Sequence, residues 1–184
     1  MIKKNNNFRE LTSGMLGDEF EKIRNTTITI FDHFENSLNK KLYVKEEANL
    51  NLPLWEFSHV AWFSEKWIIR NKNKKFNLRK NYFYEFKEDN FFPNNYLDDL
   101  FDSAKISHAK RWQIHLPEKN IVKDYLKKTK IQILKIIECE KPSTNDECYF
   151  YRLAIAHEIM HIEAFKITAQ KLGIELPRVT NHFL

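Results

Sequence analysis

Two histidines four residues apart carry the strongest chemical signal in the chain, in the run His157-Glu158-Ile159-Met160-His161. On a helix, residues i and i+4 stack on one face with Cβ atoms about 5–6 Å apart, close enough for both imidazoles to share one metal ion. A glutamate next to the first histidine is the arrangement of zinc peptidases, in which it acts as general base. That chemistry needs a third ligand downstream, and only His182 follows, outside the H-x-x-G-x-x-H pattern. Glu175 and Glu163 are carboxylate candidates, but Glu163 is two residues from His161 and points elsewhere on a helix. A better third ligand lies upstream. His59 falls in an aromatic run with Trp55, Trp62, Phe63 and Trp67, where a single histidine is ordinarily packed core. Brought together, His59, His157 and His161 would place three neutral nitrogens on one side of an ion and leave the opposite positions for water, substrate or O₂.

Four long helical segments are available to position these residues. Leu16, Phe20, Ile23, Thr27, Phe31, Phe34 and Leu38 recur at steps of three and four, which predicts a helix over about 14–40. A second helix opens at Asn51-Leu52-Pro53, with Asn51 as N-cap and a proline in the first turn, and runs to about residue 71 with His59 on its aromatic face. The third follows Pro117, with Val122, Leu126, Thr129, Ile133 and Ile136 in phase as far as Cys139. The fourth starts at a capping box, Thr144 with Glu147, and ends at Gly173, placing Phe150, Ala154, His157, His161, Ala164 and Thr168 on one face. Between the second and third lies a crossover of about 72–117, with an aromatic stretch (Tyr82, Phe83, Tyr84, Phe86, Phe91, Phe92) and a short helical piece near 96–105. A connection of this length carries function or covers a site. The expected fold is all-α, a four-helix bundle with a long crossover between the second and third helices.

The composition agrees. A chain of 184 residues suggests a single domain, and 3 Gly with 5 Pro leave little turn chemistry for an all-β fold. Cys139 and Cys148 cannot form a disulfide framework and fit a reducing compartment, and no run of 18 apolar residues or signal peptide is present, so a cytoplasmic, non-membrane protein is expected. Thirty Lys+Arg against 25 Asp+Glu give a net charge of +5. The densest basic run (Arg70, Lys72, Lys74, Lys75, Arg79, Lys80) has no interleaved aromatics and no helical basic face, and reads as a solvated loop rather than a nucleic-acid site.

The segment Leu54-Trp55-Glu56-Phe57-Ser58-His59-Val60-Ala61-Trp62-Phe63-Ser64-Glu65 resembles the first-histidine motif of the DinB-like domain in ergothioneine synthases, the iron-dependent sulfoxide synthases. His157-Glu158-Ile159-Met160-His161-Ile162-Glu163-Ala164 resembles their second motif, and Thr168-Ala169-Gln170-Lys171-Leu172-Gly173 continues it. Leu100-Phe101-Asp102-Ser103-Ala104-Lys105-Ile106-Ser107-His108-Ala109-Lys110-Arg111-Trp112 is most similar to the branch containing selenoneine and ovothiol synthases. The resemblance covers about residues 10–177. It implies a DinB-like four-helix bundle that holds Fe(II) through His59, His157 and His161. It also implies oxidative C–S or C–Se bond formation, joining a small thiol or selenol donor to a histidine-derived imidazole such as hercynine. Arg111 and Lys110 match the region where family members place basic residues for the donor's carboxylate. Met160 stands where some members carry a substrate-contacting Gln.

Glu158 and Glu163 are expected as supporting residues able to orient an imidazole through its free N–H; His33, His108, His115 and His182 read as structural. The family continues into a C-terminal domain resembling formylglycine-generating enzymes, which residues 1–184 do not contain. The chain is therefore expected to be a single helical domain that meets a protein partner supplying that domain, or forms a homodimer over the apolar crossover. Two other readings keep the same bundle. Stand-alone DinB-like proteins of this length include thiol transferases in which Zn²⁺ or another divalent metal lowers a thiol's pKa. A non-catalytic helical subunit of a split synthase is the third.

Overall fold

A computed structural model describes residues 8–38, 42–71 and 94–177. Within them the chain is all-helical, with no strand. Helix α1 spans Ser13–Ser37, α2 Pro53–Ser64, α3 Asn94–Phe101, α4 Lys119–Glu140 and α5 Asn145–Leu172. Single turns at Phe8–Glu10 and Ala109–Trp112 are of 3₁₀ type, and α2 runs directly into a π-turn, Glu65–Ile69, closed by the Arg70 N–H donating to the Glu65 carbonyl at 2.9 Å. No helix among the described residues is long and apolar enough to cross a membrane. The crossover aromatics at 82–92, the basic run beyond Arg70 and His182 lie outside the described residues.

The expected periodicities place the core. In α1, Leu16, Phe20, Ile23, Thr27, Phe31 and Phe34 are buried, and Leu38 packs on the edge of the cluster. In α4, Val122, Leu126, Thr129 and Ile133 are buried, but the final position belongs to Ile137, and Ile136 is only half-buried. The four-residue step from Ile133 keeps the stripe facing inward where the expected three-residue step turns away. α1 packs against α4 and α5, and α2 packs against the same two, so α1 and α2 face each other across the core.

Every residue of α2 except Phe63 is buried, the mark of a helix enclosed on all sides. At α5, the Thr144 hydroxyl accepts from the Glu147 N–H and the Glu147 carboxylate accepts from the Thr144 N–H at 3.0 Å, and Gly173 ends the helix with φ +67°. The start of α2 differs from expectation. Leu52 is the N-cap, without a side-chain cap, and Pro53 supplies the first turn; the Asn51 carboxamide oxygen instead accepts from Arg111.

The feature that ties the long helices together is a buried charge that the apolar pattern does not announce. Arg24 of α1 is wholly buried and forms a two-pronged ion pair with Glu158 of α5, Nε to Oε1 at 2.7 Å and Nη2 to Oε2 at 2.9 Å. Its Nη1 donates to Thr129 Oγ1 at 2.7 Å and to the Leu126 carbonyl at 3.1 Å in α4, and Nη2 donates to Ser64 Oγ at 2.9 Å in α2. Thr27 Oγ1 donates to Glu158 Oε1 at 2.7 Å. A buried ion pair of this kind adds little over a packed apolar pair, but removing one partner strands the other charge. Arg24→Met should therefore cost about 3–5 kcal/mol in urea unfolding, and Arg24→Met/Glu158→Met should cost less than the single change. A single variant within ~1 kcal/mol of wild type would show that the pair is not enclosed.

Candidate metal centre

The three sequence-selected histidines meet on the inner wall of α2 and α5. His59 comes from the middle of α2, and His157 and His161 sit one turn apart on α5. Ring centroids are 5.0 Å apart for His59–His157, 5.0 Å for His59–His161 and 4.5 Å for His157–His161. One ring nitrogen from each lies within 4.8 Å of the others, and the Nε2 atoms of His59 and His157 are 3.1 Å apart. His59 and His161 are buried and His157 is half-buried.

Two acceptors set the orientation of the rings. His59 Nδ1 lies 2.7 Å from the Phe101 carbonyl, so it carries the hydrogen and leaves Nε2 with the lone pair when the ring is neutral. His161 Nδ1 lies 2.6 Å from Glu56 Oε1, which is itself buried, so in the neutral ring its Nε2 likewise turns a lone pair inward. That Nε2 is buried with no hydrogen-bond partner among the described residues. An unsatisfied buried acceptor is costly, and a cation at the convergence of the three rings would satisfy it. Stacking completes the support: Trp55 lies on His59 (4.9 Å between centroids, 9° between planes) and Phe63 on His157 (3.6 Å, 6°).

Burial, with His161 nearby, pushes the His59 pKa down from the usual 6.5 to about 3, the Phe101 carbonyl acting in the opposite sense. Burial and the neighbouring His161, His59 and Arg24 push His157 down to about 2. Both rings are therefore neutral at ordinary pH, the form that ligates a metal. The donor set fits a divalent ion bound on one side and open on the other.

The open side is a cavity of about 410 Å³. Trp55, Trp62, Phe63 and Trp67 form its aromatic walls, and Arg111, Asn51, Lys66, Asp102 and Ser103 supply polar groups. Arg111 lies 3.9 Å above the Trp55 ring, donates to Asn51, and has a buried Nε with no partner among the described residues. Lys66 pairs with Asp102 at 2.9 Å and sits 4.5 Å above Trp62. Met160 is exposed at the rim.

Other expected site residues lie elsewhere. Lys110 is exposed on the Ala109–Trp112 turn and does not reach the cavity, because the tight turn directs it away from Arg111. Glu158 orients no imidazole: its carboxylate is held by Arg24 and Thr27 of α1, which also removes it as a peptidase base. Glu163 is half-exposed and bonds Lys166 at 2.7 Å, and Glu175 is exposed. The orienting carboxylate is Glu56, which the sequence reading passed over. Its signal was present: an acid in a helix that is apolar all round must have a buried partner. Of the remaining histidines, His108 lies 2.6 Å from the Leu50 carbonyl and serves packing, His115 is exposed and His33 half-buried.

The neutral rings give a pH signature. Without metal, the folded chain holds His59 and His157 unprotonated down to about pH 3, whereas the unfolded chain protonates them near 6.5. The unfolded state then binds more protons, so stability falls as pH drops from 6.5 towards 3. Relative to His59→Asn/His157→Asn, the metal-free wild type should lose up to ~1.4 kcal/mol per pH unit for each ring. Equal slopes in urea titrations would show that the rings are not held neutral. Compared with known proteins, the chain matches no family model and no curated sequence.

Proposed function

We propose that this chain is a DinB-like four-helix bundle that holds one non-haem Fe(II) through His59, His157 and His161. It would act in oxidative C–S or C–Se bond formation on a histidine-derived imidazole such as hercynine, with a small thiol or selenol as donor and in a cytoplasmic setting. The observation that carries the reading is the convergence of three imidazole nitrogens, one of them buried and without a hydrogen-bond partner among the described residues, on the wall of a cavity large enough for a small molecule. When bound, Fe(II) would supply O₂ activation and a site for a thiolate beside the acceptor ring.

The protein's own groups prepare that chemistry. The Phe101 carbonyl and Glu56 hold two rings with Nε2 inward. Arg111, which no carboxylate pairs in the described residues, is suited to bind a substrate carboxylate, and its stacking on Trp55 holds the guanidinium plane in place. The indole and phenyl walls exclude water and present π-faces to a trimethylated ammonium group. A partner supplying a second domain, or a homodimer, belongs to this proposal; the crossover residues 82–92 that suggest it lie outside the described residues.

The same donor set also suits Zn²⁺, so a divalent-metal-dependent thiol transferase is the second reading, favoured by three imidazoles with no anionic ligand among them. Anaerobic loading with Fe(II), or with Zn²⁺, followed by desalting and metal analysis separates these. About one iron per chain in wild type, lost in His59→Ala, is the expected result. O₂-dependent consumption of hercynine with a thiol donor would support the synthase, and anaerobic thiol transfer by the zinc form would support the alternative. No retained metal, or retention indifferent to His59, would overturn both.

A further inference from the structure

The short helix α3 contributes no metal ligand, yet it touches the centre more closely than any other element outside α2 and α5. The last four carbonyls of a helix have no intrahelical partner, and two of those at the end of α3 are taken by side chains of α2. Trp55 Nε1 donates to the Leu100 carbonyl at 2.8 Å and His59 Nδ1 to the Phe101 carbonyl at 2.7 Å. The negative end of the α3 dipole therefore faces the imidazole N–H, which favours the Nδ1–H tautomer.

α3 is held in that place by side chains one turn back. Asp98 Oδ1 accepts from Trp62 Nε1 at 2.7 Å and from Arg70 Nη2 at 2.7 Å, and the Lys66–Asp102 pair pins the residue that follows the helix. Trp62 and Arg70 belong to α2 and its π-turn, so the clamp closes on the same element that carries His59. The π-turn adds one residue to the helical repeat; Lys66 within it reaches Asp102 just after α3, and Arg70, which closes it, reaches Asp98 in α3.

We infer that α3 is a positioning element for the metal centre and that Asp98 is its anchor: by docking the C-terminal turn of α3 on α2, Asp98 fixes the tautomer and ring plane of His59. The inference deepens the metal-centre reading, and part of its test is independent of any metal. A purely structural role is the competing account, since Leu97, Leu100 and Phe101 also bury apolar surface. Positioning differs from it by acting on one imidazole.

The test uses the full chain with ¹⁵N-labelled histidine, read by long-range ¹H–¹⁵N correlation without metal, and by Co²⁺ titration followed by visible absorption. Wild type should show His59 as a single Nδ1–H tautomer. Asp98→Ala should mix or broaden the His59 tautomer signals, weaken Co²⁺ binding about tenfold and alter the Co(II) spectrum. Asp98→Asn should move all three the same way by less, and Lys105→Ala, which breaks an exposed pair with Asp99 (3.5 Å), should move none. Unchanged His59 signals and Co²⁺ affinity in Asp98→Ala would overturn the inference. If that variant does not fold, Asp98→Asn decides in its place, with wild-type behaviour again overturning it. Should wild type bind no Co²⁺, the metal reading fails on its own, and the His59 tautomer comparison still decides whether α3 positions the ring.

Discussion

The ion pair between Arg24 and Glu158 is the constraint on which the arrangement depends. One guanidinium on α1 reaches α5 through Glu158, α4 through Thr129 and the Leu126 carbonyl, and α2 through Ser64. No apolar contact has this directionality. Hydrophobic stripes let helices rotate by tens of degrees with little loss, whereas a two-pronged guanidinium–carboxylate pair holds its partners in plane. The consequence for the site is rotational. Successive residues on a helix are about 100° apart, so pinning Glu158 towards α1 turns His157 and His161 to one common side of it, towards α2. The glutamate of the His-Glu-x-x-His string thus acts as the peg that sets the phase of the two histidines, and it is unavailable for chemistry because it does so.

Much of this was legible in the sequence wherever periodicity or a local cap decides the outcome. The limits of α5 follow from the Thr144–Glu147 box and Gly173, the long helices from apolar spacing, and the three histidines stand on predicted faces. What was not legible has a common physical cause: it depends on groups that a residue pattern treats as exposed or does not record at all. Arg24 sits one step from Ile23 at the edge of an apolar stripe, where an arginine ordinarily reaches water. Its burial becomes evident only when Glu158, 134 positions away, arrives opposite it. The acceptor for His59 is a backbone carbonyl, which any residue at 101 would supply, so no side-chain motif encodes it. Asn51 looks like a cap by type, but α2 starts one residue later, with Leu52 as N-cap and Pro53 in the first turn, and the Asn51 oxygen accepts from Arg111 instead. Lys110 and Arg111 are equivalent in sequence, and the tight turn carrying them sends one to the cavity and the other to solvent.

The charge balance of the cavity narrows what can enter it. Arg24 and Glu158 cancel, as do Lys66 and Asp102. What remains near the three rings is the Glu56 carboxylate, engaged with His161, and the Arg111 guanidinium above Trp55. Burial pushes the Arg111 pKa down, and Glu56 acts against that shift, so the two charges sense one another across the site. Those two opposite charges offset one another. A divalent ion held by the three rings would leave it about two units positive in a partly enclosed, low-dielectric space, where unbalanced charge is expensive. Such a site recruits anionic ligands in proportion to that excess. A thiolate or selenolate on the metal side and a carboxylate against Arg111 would bring the balance back to neutral, whereas a neutral peptide would not. The charge of such a cavity therefore favours small anionic ligands over neutral ones, which supports the carboxylated, thiol- or selenol-bearing substrates proposed above without singling them out among anions.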